Sequence, residues 1–353
     1  MAYRIALIPG DGIGREVIPE GVRCLEALAG RPGLDFELTE LPYSCEYYAT
    51  HGEMMPAGAL DELRAFDSIL LGAVGYPGVP DHVSLWGLLI PIRRTFEQYV
   101  NLRPVRLLRG LRSPLRDRGP ADIDFVVVRE NNEGEYSEIG GRLYDGTPDA
   151  IAMQTTVFTR AGTDRILEYA FELARSRARK HLTSATKSNG IKHTMPFWDE
   201  RVAAMAGQYP DVRIDQYHID ILAAHFVTHP DWFDVVVGSN LFGDILSDLG
   251  PAIAGGIGVA PSANINPTGE LPSMFEPVHG SAPDIAGQGI ANPIATIWSV
   301  AMMLEHLGEQ AAADDLMGAL ETVTGAGEVL TADLGGKAST RELTDRVLAE
   351  LGG

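Results

Sequence analysis

Arg4-Ile-Ala-Leu-Ile8-Pro-Gly10-Asp-Gly12-Ile13-Gly14-Arg15 is an apolar run ending in a glycine-rich turn. Behind it Val17, Ile18, Val22, Leu25 and Leu28 recur at helical spacing. A strand, a tight turn and a helix open a dinucleotide-binding βαβ unit when the glycines read G-x-G-x-x-G. Here Gly14 comes one position early and Arg15 stands where the third glycine belongs. The fingerprint is broken, which argues against a Rossmann domain. What remains is a tight strand–helix turn whose backbone can approach a ligand closely.

Beyond this turn, strand-like and helix-like segments alternate, the pattern of an α/β protein with a large central sheet. Strands are expected at Arg4–Ile8, Asp35–Leu41, Ser68–Gly72, Phe125–Arg129, Leu182–Thr186, Arg213–Tyr217 and Asp234–Gly238. Ile166, Leu167, Ala170, Phe171 and Ala174 mark a second helix, for which Thr163 is a candidate N-cap. Asp149–Thr159 alternates like a strand after a turn containing Gly140, Gly141 and Gly146. A strand pair projecting there could pair with a second subunit. The chain has no internal repeat and no low-complexity tract.

At 353 residues the chain can hold two domains and bury a large core. The net charge of −20 argues against nucleic-acid and anionic-membrane partners. No apolar run is long enough to span a membrane, and the N-terminal segment enters a strand without a leader-like pattern, so a cytoplasmic location is expected. Cys24 and Cys45 make no metal or redox spacing, and Cys24 lies on an apolar helix face as a buried thiol. An anionic substrate would be repelled by the overall charge and would need a local arginine cluster. Only four of the 28 basic residues are lysines: Lys180, Lys187, Lys192 and Lys337.

Asn240-Leu-Phe-Gly-Asp244-Ile-Leu-Ser-Asp248 puts two carboxylates one turn apart if it starts a helix. A divalent cation removes their repulsion, and oxygen-only ligands suit Mg²⁺ or Mn²⁺. Solvated acids on a helix face are the bland alternative. Against it stand the apolar neighbours Leu241, Phe242, Ile245, Leu246 and Leu249 and the preceding buried-strand run Val235–Val237. Carboxylates after such a strand sit where α/β proteins bind ligands.

Arg93 and Arg103 are ten residues apart in Pro91-Ile-Arg-Arg94 and Asn101-Leu-Arg-Pro104, and Arg129 follows another apolar run. Singly each reads as surface charge. Together, in so acidic a chain, they suggest a clamp for carboxylates. Lys187, just past a strand, could serve as a base near carboxylates or a metal, or be a solvated loop charge. Asp220 precedes an apolar helix face and is either a third metal ligand or a charge favoured by the helix dipole. Glu276-Pro-Val-His279-Gly-Ser-Ala-Pro-Asp284-Ile-Ala-Gly-Gln-Gly-Ile-Ala-Asn292 reads as a turn-rich binding loop. An Asp there can accept from both hydroxyls of an adenosine ribose and would repel a 2′-phosphate.

Together these stretches resemble the β-decarboxylating dehydrogenases, the family of the isocitrate, 3-isopropylmalate and D-malate/tartrate enzymes. The likeness runs from Gly10–Gly14 to about Asn292 and is most specific in Asn240–Asp248 and Pro277–Asn292. It implies two open α/β domains with a large mixed sheet, not a conventional Rossmann fold. One is a cofactor-binding domain from both chain ends (1–101 and 254–353). The other is a substrate, metal and dimerisation domain (102–253). It further implies a homodimer with shared active sites, a tetramer being left open.

The same resemblance implies the roles of single residues. Arg93, Arg103 and Arg129 bind substrate carboxylates. Tyr136 is the general acid that protonates the enolate, and Lys187 from the partner subunit assists deprotonation of the C2 hydroxyl. Asp244 and Asp248, with Asp220 of the partner, hold Mn²⁺ or Mg²⁺, and a K⁺ requirement is also implied. Ile13, Asn189, His279, Gly280, Ser281, Ala282, Asp284, Ile285 and Asn292 bind the cofactor. NADP-dependent members carry Lys-Tyr where this chain has Asp284-Ile285, so NAD is expected.

Asp81-His-Val-Ser-Leu-Trp86-Gly-Leu-Leu89-Ile90 matches the helix that reads the C3 substituent of the substrate. Isopropylmalate enzymes have Glu where Trp86 stands. Trp86, with Ser44-Cys-Glu-Tyr-Tyr48 and Pro80-Asp-His-Val-Ser-Leu-Trp86, resembles the branch acting on D-malate and tartrate, small 2-hydroxy diacids, and Trp86, Leu89 and Ile90 are implied to contact the substrate. The expected reaction is NAD-dependent oxidative decarboxylation of D-malate to pyruvate and CO₂. A 3-isopropylmalate dehydrogenase is the alternative within the family. A non-catalytic regulatory subunit is the alternative outside it, and the presence of every acid–base and metal residue argues against that.

Overall fold

The computed structural model describes residues 2–31 and 33–352, leaving Met1, Pro32 and Gly353 outside. Among the described residues the strands are β1 (Tyr3–Gly10), β2 (Phe36–Glu40), β3 (Ser68–Ala73), β4 (Val100–Arg106), β5 (Asp124–Glu130), β6 (Gly140–Leu143), β7 (Ile151–Gln154), β8 (His181–Thr186), β9 (Arg213–His218), β10 (Val235–Gly238), β11 (Pro261–Ile265) and β12 (Ser273–Pro277). Ten of them form one sheet in the order β2-β1-β3-β12-β11-β4-β5-β10-β8-β9. β2, β1, β3 and β12 run parallel to one another, as do β5, β10, β8 and β9. Between these groups β11 and β4 are antiparallel to each other and to their outer neighbours. The sheet therefore reverses direction at its centre. All seven expected strands belong to it.

Parallel strands covered on both faces bury every side chain. β1 does so over Ile5–Ile8: Ile5 and Leu7 join the larger hydrophobic cluster, while Ala6 and Ile8 join a second one on the opposite face. The central strands β4, β11 and β12 also carry buried polar side chains, which hydrogen-bond across the sheet. Asn101 Nδ2 donates to Ser262 Oγ (2.9 Å) and Asn264 Oδ1 (3.0 Å), and Asn264 Nδ2 donates to Glu276 Oε1 (2.7 Å). Pro104 lies inside β4, yet β11 pairs only with Val100–Leu102, so no ladder bond is lost to the ring.

Residues 81–95 form a continuous helix with a π turn over Leu85–Leu89, where the Ile90 N–H reaches Leu85 O. Pro91 explains it: the ring has no N–H to donate and would crowd the carbonyl four residues back. The helix expected around Ile166 spans Arg160–Ser176, and its cap is Thr159, whose hydroxyl accepts from Gly162 N (3.0 Å). Thr163 is buried one turn further in and is not the cap. In the expected strand Asp149–Thr159 only Ile151–Gln154 is regular, and it pairs with β6 as an exposed hairpin. Leu143, Tyr144, Ile151 and Met153 are all exposed on it. No helix among the described residues is long and apolar enough to cross a membrane.

Candidate active site

Where the sheet reverses, a cavity of about 240 Å³ opens. Its walls bring together Arg93, Arg103, Arg129, Tyr136 and Asp244, with Leu85, Leu89 and Glu276. Arg103 projects from β4 and Arg129 is the penultimate residue of β5, while Asp244 is on the helix Asn240–Ile253 behind β10. That helix starts at Ser239, whose hydroxyl accepts from Phe242 N. Glu135 fastens the same end: its carboxylate accepts from Ser239 Oγ (2.8 Å) and Leu241 N (3.0 Å). Gly243 is needed here, since a Cβ would lie 2.5 Å from Arg129 Cβ.

The three arginines are buried and only partly matched. Arg93 donates to Glu276 Oε1 (3.0 Å), and Arg103 donates to Ser247 Oγ (2.8 Å) and Asp248 Oδ1 (3.2 Å). Arg129 donates to Asn240 Oδ1 (2.7 and 3.1 Å) and to Asp244. The Nε of Arg93 and of Arg103 have no protein partner. Burial pulls Arg103 below the usual guanidinium range and Arg129 to about 10. Arg129 at about 10 still carries its charge at neutral pH. Unpaired buried donors on charged groups are costly unless a ligand accepts from them.

Tyr136 donates its hydroxyl to Asp244 Oδ2 at 2.6 Å. Burial, with the Asp244 hydrogen bond and charge added, pushes the phenol up to about 12, so it is a protonated donor. Burial alone would raise Asp244, but the Arg129 charge and the Tyr136 hydrogen bond outweigh it and hold the carboxyl low. Asp248 is raised, first by burial, with the Asp244 charge adding to it against the pull of Arg103. These two carboxylates, one turn apart, form an oxygen donor set that a hard divalent cation fits. Among the described residues, no three His, Cys, Asp or Glu groups of one chain gather to hold a metal.

The other expected residues divide. Trp86 and Ile90 lie off the cavity wall, which Leu85 and Leu89 form instead; the π turn sets that phase. Lys187 pairs with Asp220 (2.6 Å) away from the cavity, and Asn189 is exposed beside them. Lys187 holds the Asp220 carboxyl low.

A second cavity of about 360 Å³ is lined by Ile13, His279, Ala282, Ile285 and Asn292 together with Gly256–Gly258, Ile290 and Asp333. His279 Nδ1 lies 3.0 Å from Gly280 O, which assigns the proton to Nδ1 and leaves the buried Nε2 without a partner. Burial lowers the imidazole below its usual range, so Nε2 is a neutral acceptor. A mostly apolar cleft with one orphaned acceptor fits a nucleobase edge. Asp284 stands exposed outside this lining. Gly255-Gly256-Ile-Gly258 and Asp333 had no place in the sequence reading; the glycine cluster was the available signal. The Gly10–Gly14 turn is closed by protein: Ile13 N donates to Ser281 O (2.9 Å), and a Cβ on Gly12 would lie 2.0 Å from that oxygen. Asp11, also overlooked, is fully buried and accepts from Cys45 N, Glu46 N and Gly75 N.

Comparison with known proteins gives one family model, isocitrate/isopropylmalate dehydrogenase, matching residues 4–347. A D-malate dehydrogenase [decarboxylating] of Escherichia coli (strain K12) is 59% identical over 98% of this chain and 97% of its own. A tartrate dehydrogenase/decarboxylase of Pseudomonas putida is 58% identical over 97% of this chain and 96% of its own. The crystal structure of isocitrate dehydrogenase from Methylococcus capsulatus superposes with a TM-score of 0.89 at 34% identity, covering 99% of this chain and 100% of that one.

Proposed function

The chain belongs to the isocitrate/isopropylmalate dehydrogenase family and is an enzyme of its decarboxylating hydroxy-acid dehydrogenases; on that premise we propose that it oxidatively decarboxylates D-malate to pyruvate and CO₂ with NAD, and acts on tartrate as well. The observation that carries this reading is the gathering of Arg93, Arg103 and Arg129 around the Tyr136–Asp244 pair in a cavity of about 240 Å³. Its volume suits a small diacid. The relatives named above set the substrate class: their names state D-malate and tartrate.

Asp244 and Asp248, with the partner subunit's Asp220, would hold Mn²⁺ or Mg²⁺. Such a cation supplies Lewis-acid polarisation of the substrate C2 oxygen. Three arginines facing Asp244, Asp248 and Glu276 make the cluster neutral on its own. A dianionic substrate arriving with a dication preserves that balance. Arg93 and Arg103 direct unpaired Nε–H donors to carboxylate oxygens and Arg129 adds charge. The partner subunit's Lys187 would take the proton of the C2 hydroxyl, and NAD, when bound, would supply the acceptor for the C2 hydride before CO₂ leaves from C3. Tyr136 then returns one proton to C3, so the products are pyruvate, CO₂ and NADH. His279, Ile13, Ile285 and Asn292 would hold the adenine half, with Gly280, Ser281 and Ala282 shaping the loop and Asp284 at its rim toward the ribose.

Lys187, Asn189 and Asp220 stand apart from the cavity of their own chain, as sharing between subunits requires. The exposed apolar residues of the β6–β7 hairpin support a homodimer. The division into 1–101 with 254–353 and 102–253 is proposed on the same footing, and a K⁺ requirement follows from the family alone. The alternative, 3-isopropylmalate as substrate, is favoured by Leu85 and Leu89 on the cavity wall. A turnover panel of D-malate, tartrate, 3-isopropylmalate and isocitrate, each with NAD and NADP plus Mn²⁺, decides between them. D-malate with NAD should give the highest kcat/KM. A higher value for 3-isopropylmalate or isocitrate would overturn the assignment.

A further inference from the structure

Tyr136 lies on the irregular segment 131–139; Asn131 and Glu133 tie its start to the body of the protein, and four further anchors flank Tyr136 itself. Gly134 and Val157 exchange both backbone hydrogen bonds (2.8 and 3.0 Å). Glu135 ties the loop to the start of the Asp244 helix. Ser137 is fastened to Thr155 O and, through its carbonyl, to Gln154 Nε2 (2.5 Å). These three anchors all come from residues beyond 153. The fourth is Arg94, on the helix 81–95: its Nη2 donates to the Tyr136 carbonyl (3.0 Å) and its Nη1 pairs with Glu138 (2.8 Å). The same guanidinium lies over the indole of Trp86, 5.2 Å from the ring centroid. Trp86 itself does not reach the cavity wall.

We infer that Arg94 is a positioning residue for Tyr136, and that Trp86 acts on the site through it. The inference rests on the reading of Tyr136 as the proton donor. A guanidinium has the geometry for this task. It can lay its flat face on an indole while its in-plane N–H groups bond a carbonyl and a carboxylate, which an ammonium cannot do at once. The link fixes the phenol from the side of the Leu89 and Arg93 wall, so that the proton donor keeps its distance from the bound diacid. Small displacements of such a group slow the chemical step more than they weaken binding. Losing Arg94 should therefore lower kcat and leave KM nearly unchanged. Losing Trp86 should do the same to a smaller degree, because Arg94 keeps its two hydrogen bonds.

The test is a double-mutant comparison with the dimeric enzyme, D-malate, NAD and Mn²⁺. Arg94→Met should reduce kcat about tenfold, with KM changed less than about twofold. In a Tyr136→Phe background, where no phenol remains to be positioned, Arg94→Met should change the residual rate less than about twofold. A tenfold loss in both backgrounds, or a loss expressed in KM with kcat unchanged, would overturn the inference. Thermal melting checks that Arg94→Met folds. If it does not, Arg94→Lys, which keeps a donor for the Tyr136 carbonyl, carries the same comparison, with a partial kcat loss expected only where Tyr136 is present. A wild-type enzyme that prefers another hydroxy acid would sink the D-malate reading while leaving this comparison to be run on that acid.

Discussion

The hydroxyl of Tyr136 and one oxygen of Asp244 are 2.6 Å apart, and the other oxygen of the same carboxylate meets Arg129. One acid thus orients the phenol and neutralises a buried guanidinium at once. Tyr136 is held protonated in this arrangement, while Lys187 sits away from it on the same chain.

Complementation follows from that separation. Tyr136→Phe and Lys187→Ala should each lose at least about a hundredfold in kcat, as removal of a general acid or base usually does. Mixing the two inactive proteins under conditions of subunit exchange should restore activity, since a mixed dimer rebuilds one intact site. Assay of the mixture against both parents decides it. No recovery despite demonstrated exchange would mean that each site is built from one chain.

Asp244→Asn removes a ligand charge from the proposed metal pair and a partner from Arg129. Turnover should fall by more than about a hundredfold, and the Mn²⁺ needed for half-maximal residual activity should rise at least about tenfold. Direct Mn²⁺ titration by equilibrium dialysis or electron spin resonance reads the same loss independently of turnover. Unaltered Mn²⁺ affinity would remove Asp244 from the metal site.

Glu130 gives a pH prediction. It is fully buried at the end of β5, its Oε1 accepts from Asn132 N and Glu133 N, and its Oε2 has no partner. Burial pushes it from an ordinary 4.5 to about 7. Below 4.5 the folded and unfolded chains both carry the proton. Between 4.5 and about 7 the unfolded chain gives it up first, so this residue makes stability fall as pH rises. The loss levels off above about 7, at no more than roughly 3 kcal/mol. Glu130→Gln keeps the Oε1 acceptor and has no proton to lose. Its melting temperature should exceed that of wild type at pH 8 by clearly more than at pH 5. A gap independent of pH would exclude this account.

Leu89 lines the cavity and Trp86 does not. Leu89→Ala should therefore raise kcat/KM for 3-isopropylmalate relative to D-malate by about tenfold or more, equivalent to about 1.4 kcal/mol. Trp86→Ala should change that ratio less and lower both constants together. If Trp86→Ala changes the ratio and Leu89→Ala does not, the indole reads the substrate after all.

Much of this was legible in the chain because local rules govern it. The spacing of Asp244 and Asp248 needs only a helix, and the early Gly14 marked a tight strand–helix turn without the dinucleotide fingerprint. What escaped reading depends on distant partners. β4, β11 and β12 carry Asn101, Pro104, Asn264 and Glu276, which look unlike a buried strand until they are paired across the sheet. The π turn at Leu85–Leu89 shifts which side chains reach the cavity, and periodicity assumes an unbroken helix. Trp86 was placed at the substrate by resemblance, and here its indole lies under Arg94, off the cavity wall.

If D-malate undergoes a single oxidative decarboxylation, its product stoichiometry must show it. With D-malate, NAD and Mn²⁺, the enzyme should form NADH, CO₂ and pyruvate in equal amounts. Tyr136→Phe should depress pyruvate formation. NADH appearing without CO₂, or no turnover of D-malate where another 2-hydroxy acid is consumed, would contradict the account.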